Sequence, residues 1–140
     1  MKIRVMVFED NIFLRSMMSD FLRRRGYEVV AFSDPSDCPL LRSETCYHAC
    51  ADILISDLSM PNVTGLQFIK NQIQKGCHIQ NMALMSAAWT REEHEYAKQI
   101  GCQVFNKPFN FGELNLWLDE CESRINPHRV LTDELLHKQS

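Results

Sequence analysis

No stretch of this chain approaches the ~18 consecutive apolar residues of a membrane-crossing helix, so contact with a membrane is not expected. The opening Met1-Lys2-Ile3-Arg4-Val5-Met6-Val7-Phe8 runs straight into Glu9-Asp10, with no small-residue cleavage site after it. It reads as a strand and not as a secretory signal. Excess charge of one sign is also missing: 15 Lys and Arg against 18 Asp and Glu leave a net charge of −3, which gives no general reason to expect direct nucleic-acid binding. The one basic run, Arg23-Arg24-Arg25, reads as a helix end. Usual zinc spacing is absent too, since Cys46-x-His48-x-Cys50, with Cys38 upstream, has no second ligand pair at a standard distance. Without a secretory signal the six cysteines are expected to be reduced thiols in a cytoplasmic protein. Neither an internal repeat nor a low-complexity linker interrupts the 140 residues. A domain of that length buries roughly 68% of the surface its unfolded chain exposes, enough for one core.

What the chain does have is alternation. Short apolar runs (Ile3 to Phe8, Tyr27 to Phe32, Ile53 to Ile55, Met82 to Met85, Val104-Phe105) are separated by stretches with helical spacing. That order predicts an α/β domain with a mostly parallel sheet, its strands covered on both faces. Phe13, Met17 and Phe21, with Leu14, Met18 and Leu22, form an apolar stripe on a helix that ends in three arginines and Gly26. Leu66, Ile69 and Ile73 mark another helix, stopped near Gly76. Thr90 to Glu93 has the form of a capping box for a helix turning Tyr96 and Ile100 inward. Asn110 is the expected cap of a final helix with the stripe Leu114, Trp117, Cys121 and Ile125. Between Ser33 and Ala51, Pro35 and Pro39 bracket a helix that must start late, be short or be kinked. A turn is expected around Leu131 to Leu136.

In an open parallel sheet, ligands bind beyond the carboxyl ends of the strands. Glu9-Asp10 follow the first strand, Asp57 the third, Ser86-Ala87 the fourth and Lys107-Pro108 the fifth. Four strands thus deliver three carboxylates, a hydroxyl and an amine to one edge. Clustered carboxylates raise one another's proton affinity unless a cation neutralises them, and an all-oxygen set suits Mg²⁺. Asp57 could then act as a nucleophile toward phosphorus, with Lys107 and the Ser86 hydroxyl on the phosphoryl oxygens. Each residue taken alone has an ordinary structural reading; the joint pattern carries the specificity.

Glu9-Asp10, the run Asp57-Leu58-Ser59-Met60-Pro61-Asn62-Val63-Thr64-Gly65, Ser86-Ala87 and Lys107-Pro108-Phe109 resemble the receiver (phospho-acceptor) domain of bacterial two-component response regulators, in its single-domain form. The resemblance covers about residues 1–125 and implies a flavodoxin-like doubly wound (βα)5 parallel sheet of strand order 2-1-3-4-5. It leaves 126–140 as a C-terminal tail with no output domain. By position it implies that Asp57 is the phosphorylated residue, that Asp10 binds Mg²⁺ directly and Glu9 through water, and that Ser59 offers a backbone carbonyl to the metal. It further implies that Ser86 bonds the phosphoryl group, that Ala87 leaves room for it, that Lys107 pairs with it, and that the Lys107-Pro108 bond is cis. Gly65 closes the acidic loop, where a left-handed or crowded backbone is expected.

One departure concerns the switch. The family usually places an aromatic residue three before the lysine, but here that position is Val104, and the aromatic Phe105 is two before it. Neighbouring strand residues face opposite sides, so Phe105 cannot serve without a bulge or register shift. Trp89, three after Ser86, is the candidate to cover the site instead. Ser59 and Ala88 flank the approach of hydrolytic water.

The resemblance implies a signalling module, not an enzyme beyond its own Mg²⁺-dependent phosphorylation and dephosphorylation. Its phosphoryl donor would be a sensor histidine kinase or phosphotransfer protein. Its output would pass through a protein partner, or a phosphorylation-dependent homodimer, on the fourth helix, fifth strand and fifth helix, about Thr90 to Ile125. Two other readings compete. A Mg²⁺-dependent phosphatase would want a second acid two residues after Asp57, where Ser59 stands. A receiver-like scaffold or binding module not switched by phosphate is kept open by Val104.

Overall fold

The computed structural model describes residues 2–35, 50–60, 63–76 and 79–131. The five apolar runs become strands β1 (Arg4–Phe8), β2 (Glu28–Phe32), β3 (Ile53–Asp57), β4 (Asn81–Ser86) and β5 (Gln103–Asn106). Every pairing is parallel, and the order is β2-β1-β3-β4-β5, as the doubly wound reading requires. All positions of β1, β3 and β4 are buried. Continuous apolar sequence demands this of central strands covered on both faces. The strands β3 and β4 run past their apolar cores to Asp57 and Ser86, so these polar side chains stand on strand ends held by sheet register and not in loops.

The helices among the described residues are α1 (Ile12–Arg24), α2 (Gly65–Gln74), α3 (Arg91–Gln99) and α4 (Phe111–Arg124). Residues from α1 and α4 (Met18, Leu22, Leu114, Trp117, Leu118, Cys121) pack against Val5, Val7, Ile53, Ile55, Met85 and Phe105 on one face of the sheet. Residues from α2 and α3 (Phe68, Ile69, Ala97) pack against Met6, Phe8, Leu54 and Leu84 on the other. Capping side chains start each helix: Asn11 accepts from the Phe13 and Leu14 amides, Thr64 and Thr90 form capping boxes with Gln67 and Glu93, and Asn110 accepts from Glu113. Each satisfies amides that the helix itself leaves without partners. The three arginines do end α1, with Gly26 in the left-handed region at φ 91°.

Three helix faces differ from the sequence expectation. On α1 the core is met by Leu14, Met18, Phe21 and Leu22, while Phe13 is 79% exposed and Met17 51% exposed. Neighbours on a helix lie about 100° apart, so a stripe two residues wide over several turns cannot all be turned inward. On α2 Phe68, Ile69 and Gln72 are buried and Ile73 is exposed. On α3 Ala97 is the buried residue, and Tyr96 and Ile100 are half-buried. The α4 stripe is as expected, with Leu118 added to it.

The expected second helix, the Cys38, Cys46 and His48 cluster and the turn beyond Leu131 lie outside the described residues; Cys50, Cys102 and Cys121 are buried. Arg25 joins α1 to α4 through Asn115, Asp119 and Glu122. Arg129 bonds both oxygens of Asp52 and the Lys2 carbonyl, so the chain after α4 is tied back under the sheet. No helix among the described residues is long and apolar enough to cross a membrane.

Candidate functional site

At the carboxyl edge of the sheet, β1 ends into Glu9 and Asp10, β3 in Asp57, β4 in Ser86, and β5 into Lys107. These are the positions read from the sequence; the fold brings Glu9, Asp10, Asp57 and Lys107 into one cluster and sets Ser86 at the same edge of the sheet. The Lys107 ammonium lies 2.8 Å from Glu9 Oε1 and 3.0 Å from Asp57 Oδ2. Carboxylate oxygens of Glu9, Asp10 and Asp57 lie within 4.8 Å of one another. Glu9, Asp57 and Ser86 are buried, whereas Asp10 is exposed, so the cluster opens to solvent past Asp10.

Local bonds hold this edge. The Glu9 amide donates to the Phe32 carbonyl at 3.1 Å, and the Arg15 guanidinium donates to the Glu9 carbonyl at 2.9 Å. On the other side the Leu58 amide donates to the Met85 carbonyl and the Gly65 amide to the Leu58 carbonyl. Gly65 has no positive φ; its requirement is space, because a Cβ there would meet the Asp57 carbonyl oxygen at 2.2 Å. Of the two reasons for glycine expected from the sequence, crowding is the one that holds. The Ser59 amide reaches Asp57 Oδ1 at 3.3 Å.

The electrostatics follow from two buried carboxylates and one ammonium. Burial, then the Asp57 carboxylate beside it, push the Glu9 carboxyl up to about 7, and Lys107 offsets this only in part. For Lys107, burial alone would favour the neutral amine, but its bonds to Glu9 and Asp57 outweigh that and raise its pKa. Glu9 Oε2 is buried with no hydrogen-bond partner. An orphaned carboxylate oxygen, a surplus of negative charge and an all-oxygen donor set fit a hard divalent cation; Glu9, Asp10 and Asp57 are the residues that could hold it.

The Ser86 hydroxyl accepts from the Ala88 amide at 3.0 Å, and the Ser86 carbonyl accepts from the Lys107 amide at 2.9 Å. Ala87 is exposed at the rim, and the Lys107-Pro108 bond is cis. The strand β5 pairs in simple register, with Val104 opposite Leu84 and Phe105 opposite Met85. Phe105 is accordingly buried on the α1/α4 face against Phe109 and Trp117, and Val104 lies on the α2/α3 face. Trp89 does not stand free over the site: its indole N–H donates to the Phe105 carbonyl at 3.0 Å. No sequence motif marks Arg15, whereas Asn11, just before an apolar-periodic run, carries an N-cap signal.

A doubly wound parallel sheet with an acidic cluster and a lysine at its carboxyl edge defines a receiver-type domain. The chain belongs to the response regulator receiver domain family, which matches residues 5–119. It is 32% identical over 144 residues to the Arabidopsis thaliana protein ARR21, described as a two-component response regulator, and covers 22% of that protein. It is 26% identical over 115 residues to the Bacillus subtilis transcriptional regulatory protein YrkP, matching 82% of this chain and 47% of that one. The chain thus spans about half the length of one relative and about a fifth of the other. Among solved structures, the chemotaxis response regulator CheY4 of Vibrio cholerae superposes with a TM-score of 0.70 at 28% identity, over 86% of this chain and 99% of that one.

Proposed function

We propose that this chain acts as a stand-alone receiver that takes a phosphoryl group on Asp57 from a sensor histidine kinase or phosphotransfer protein and signals through noncovalent partners. The observation that carries the reading is the buried Asp57 carboxylate sharing the Lys107 ammonium with Glu9, at the sheet edge where such folds bind ligands. Glu9, Asp10 and Asp57, with the Ser59 backbone carbonyl, would hold Mg²⁺, which when bound neutralises the carboxylates and an oxygen of the phosphoryl group.

Asp57 supplies the nucleophile. An O–P bond forms at its carboxylate as the P–N bond to a donor histidine, or the P–O bond of a small acyl phosphate, breaks, and the leaving group departs with the electron pair. Lys107, kept as an ammonium by two carboxylates, pairs with one equatorial oxygen, and the Ser86 hydroxyl donates to another. Ala87 leaves space for the group, and water returning the carboxylate passes between Ser59 and Ala88. The chain catalyses no reaction besides this gain and loss.

A protein donor must reach past Asp10. Ile12 and Phe13, in the first turn of α1 and two and three residues after Asp10, and Met17 in the next turn expose 59%, 79% and 51% of their surface. An exposed apolar group of this kind marks a protein contact, and we assign it to the donor. The output surface is the face of α3, β5 and α4, about Thr90 to Ile125, which also serves a phosphorylation-dependent homodimer. A receiver-like scaffold without phosphate control is favoured by one observation, the aliphatic Val104 on the α2/α3 face.

The test is intact mass after incubation with acetyl phosphate, with and without Mg²⁺, on wild type and Asp57→Asn. A Mg²⁺-dependent gain of one phosphoryl group, absent from the variant, supports the reading. No gain, with beryllofluoride also failing to bind, leaves the scaffold in its place.

A further inference from the structure

If Asp57 takes the phosphoryl group, its state must reach a surface, and β5 offers no aromatic side chain to carry it: Phe105 is buried at 5% exposure on the α1/α4 face. The loop between β4 and α3 holds a different connection. Trp89 is half-buried and packs on the α2/α3 side, the face to which Val104 belongs. Its indole N–H holds the Phe105 carbonyl, two residues before Lys107. Its ring meets the His94 ring of α3 edge-on, at 5.8 Å and 87°. One side chain therefore bridges the loop that follows Ser86, the strand that leads into Lys107, and the helix that opens the output face.

The start of that loop is set by the group that a phosphoryl oxygen would recruit. The Ser86 Oγ accepts the Ala88 amide at 3.0 Å, and Trp89 is the next residue. Accepting that amide leaves the Ser86 O–H free to donate, so a phosphoryl oxygen on Asp57 that draws Oγ toward itself also draws on the Ala88 amide. That pull passes to the backbone from 86 to 89, and a bond at 3.0 Å to a fixed strand carbonyl does not tolerate a shift of an ångström. His94 also lines a groove of about 640 Å³ between α3 and α4, with Lys98, Val104, Trp117, Glu120 and Arg124. His94 is thus a wall shared by the tryptophan and the groove.

We propose that Trp89 is the coupling residue of this domain: recruitment of Ser86 by the phosphoryl group withdraws the Trp89 indole from the Phe105 carbonyl, and the released ring reseats His94 and α3. The inference rests on phosphorylation at Asp57. It makes Trp89 a positioning residue that acts after the chemistry, so its loss leaves the chemistry intact.

The test follows the two indole N–H signals by ¹⁵N NMR in the full chain with Mg²⁺, before and after beryllofluoride. The expected result is a shifted Trp89 signal with faster proton exchange and a Trp117 signal that changes little. Trp89→Phe keeps a ring and removes the donor. It should gain one phosphoryl group from acetyl phosphate as wild type does, yet lose most of the phosphorylation-dependent change in amide exchange over Arg91–Gln99. A Trp89 signal unmoved in a beryllofluoride-loaded protein overturns the inference and leaves the phospho-acceptor reading standing, as does a Trp89→Phe variant whose α3 responds like wild type. A wild type that gains no adduct overturns both.

Discussion

The Glu9 carboxyl makes the stability of the metal-free protein depend on pH in an unusual direction. Its side chain is fully buried beside Asp57 and is held at about 7 against an ordinary 4.5. The folded protein therefore binds a proton there that the unfolded chain has released, throughout the interval from pH 4.5 to 7. Stability from this group is complete below pH 4.5, falls as pH rises, and is lost above about 7. The displacement corresponds to about 3 kcal/mol, a large part of the roughly 5–15 kcal/mol of a domain's stability. Glu9→Gln keeps a carbonyl for Lys107 and an amide donor toward Asp57 but cannot ionise. Urea unfolding in EDTA at pH 4.5 and pH 8 should show wild type losing as much as about 3 kcal/mol relative to the variant. At pH 8 Mg²⁺ should stabilise wild type more than the variant. Parallel pH profiles for the two proteins would refute the reasoning, because the other titrating groups are common to both.

Three further outcomes are expected. Phe13→Asp should slow transfer from a phosphorylated protein donor tenfold or more while leaving the rate with acetyl phosphate unchanged, measured by phosphoryl gain in parallel reactions. Gly65→Ala should destabilise the fold by about 2–3 kcal/mol in urea, since the added Cβ meets a backbone oxygen that no rotamer change relieves, and should weaken Mg²⁺ binding by calorimetry as Asp57 shifts. Arg129→Ala should cost about 2 kcal/mol by the same unfolding assay, as it strips the buried Asp52 carboxylate of its guanidinium partner.

Much of this was legible in the chain because its signals are local. Continuous apolar runs give the central strands, Thr90 with Glu93 gives a helix start, and the carboxylates, serine and lysine fall at strand ends whatever the exact boundaries. The cis bond before Pro108 and the crowding at Gly65 came with the family resemblance. What escaped depends on packing. Phe13 and Met17 satisfy helical spacing as well as Leu14 and Met18 do, and only the sheet's position decides which pair is covered. Arg15 lies six residues from the carbonyl it holds, within no motif that spacing would reveal. The place of Trp89 three residues after Ser86 suggests a cover over the site, whereas its indole N–H bonds sideways to β5, a contact 16 residues distant in sequence.

The central claim is that Asp57 forms an acyl phosphate. Borohydride reduction after incubation with acetyl phosphate and Mg²⁺ converts such a group to homoserine, which peptide mapping locates. The account predicts homoserine at position 57, dependent on Mg²⁺ and absent without phosphodonor. An unmodified Asp57, or an adduct found at another residue, would contradict it.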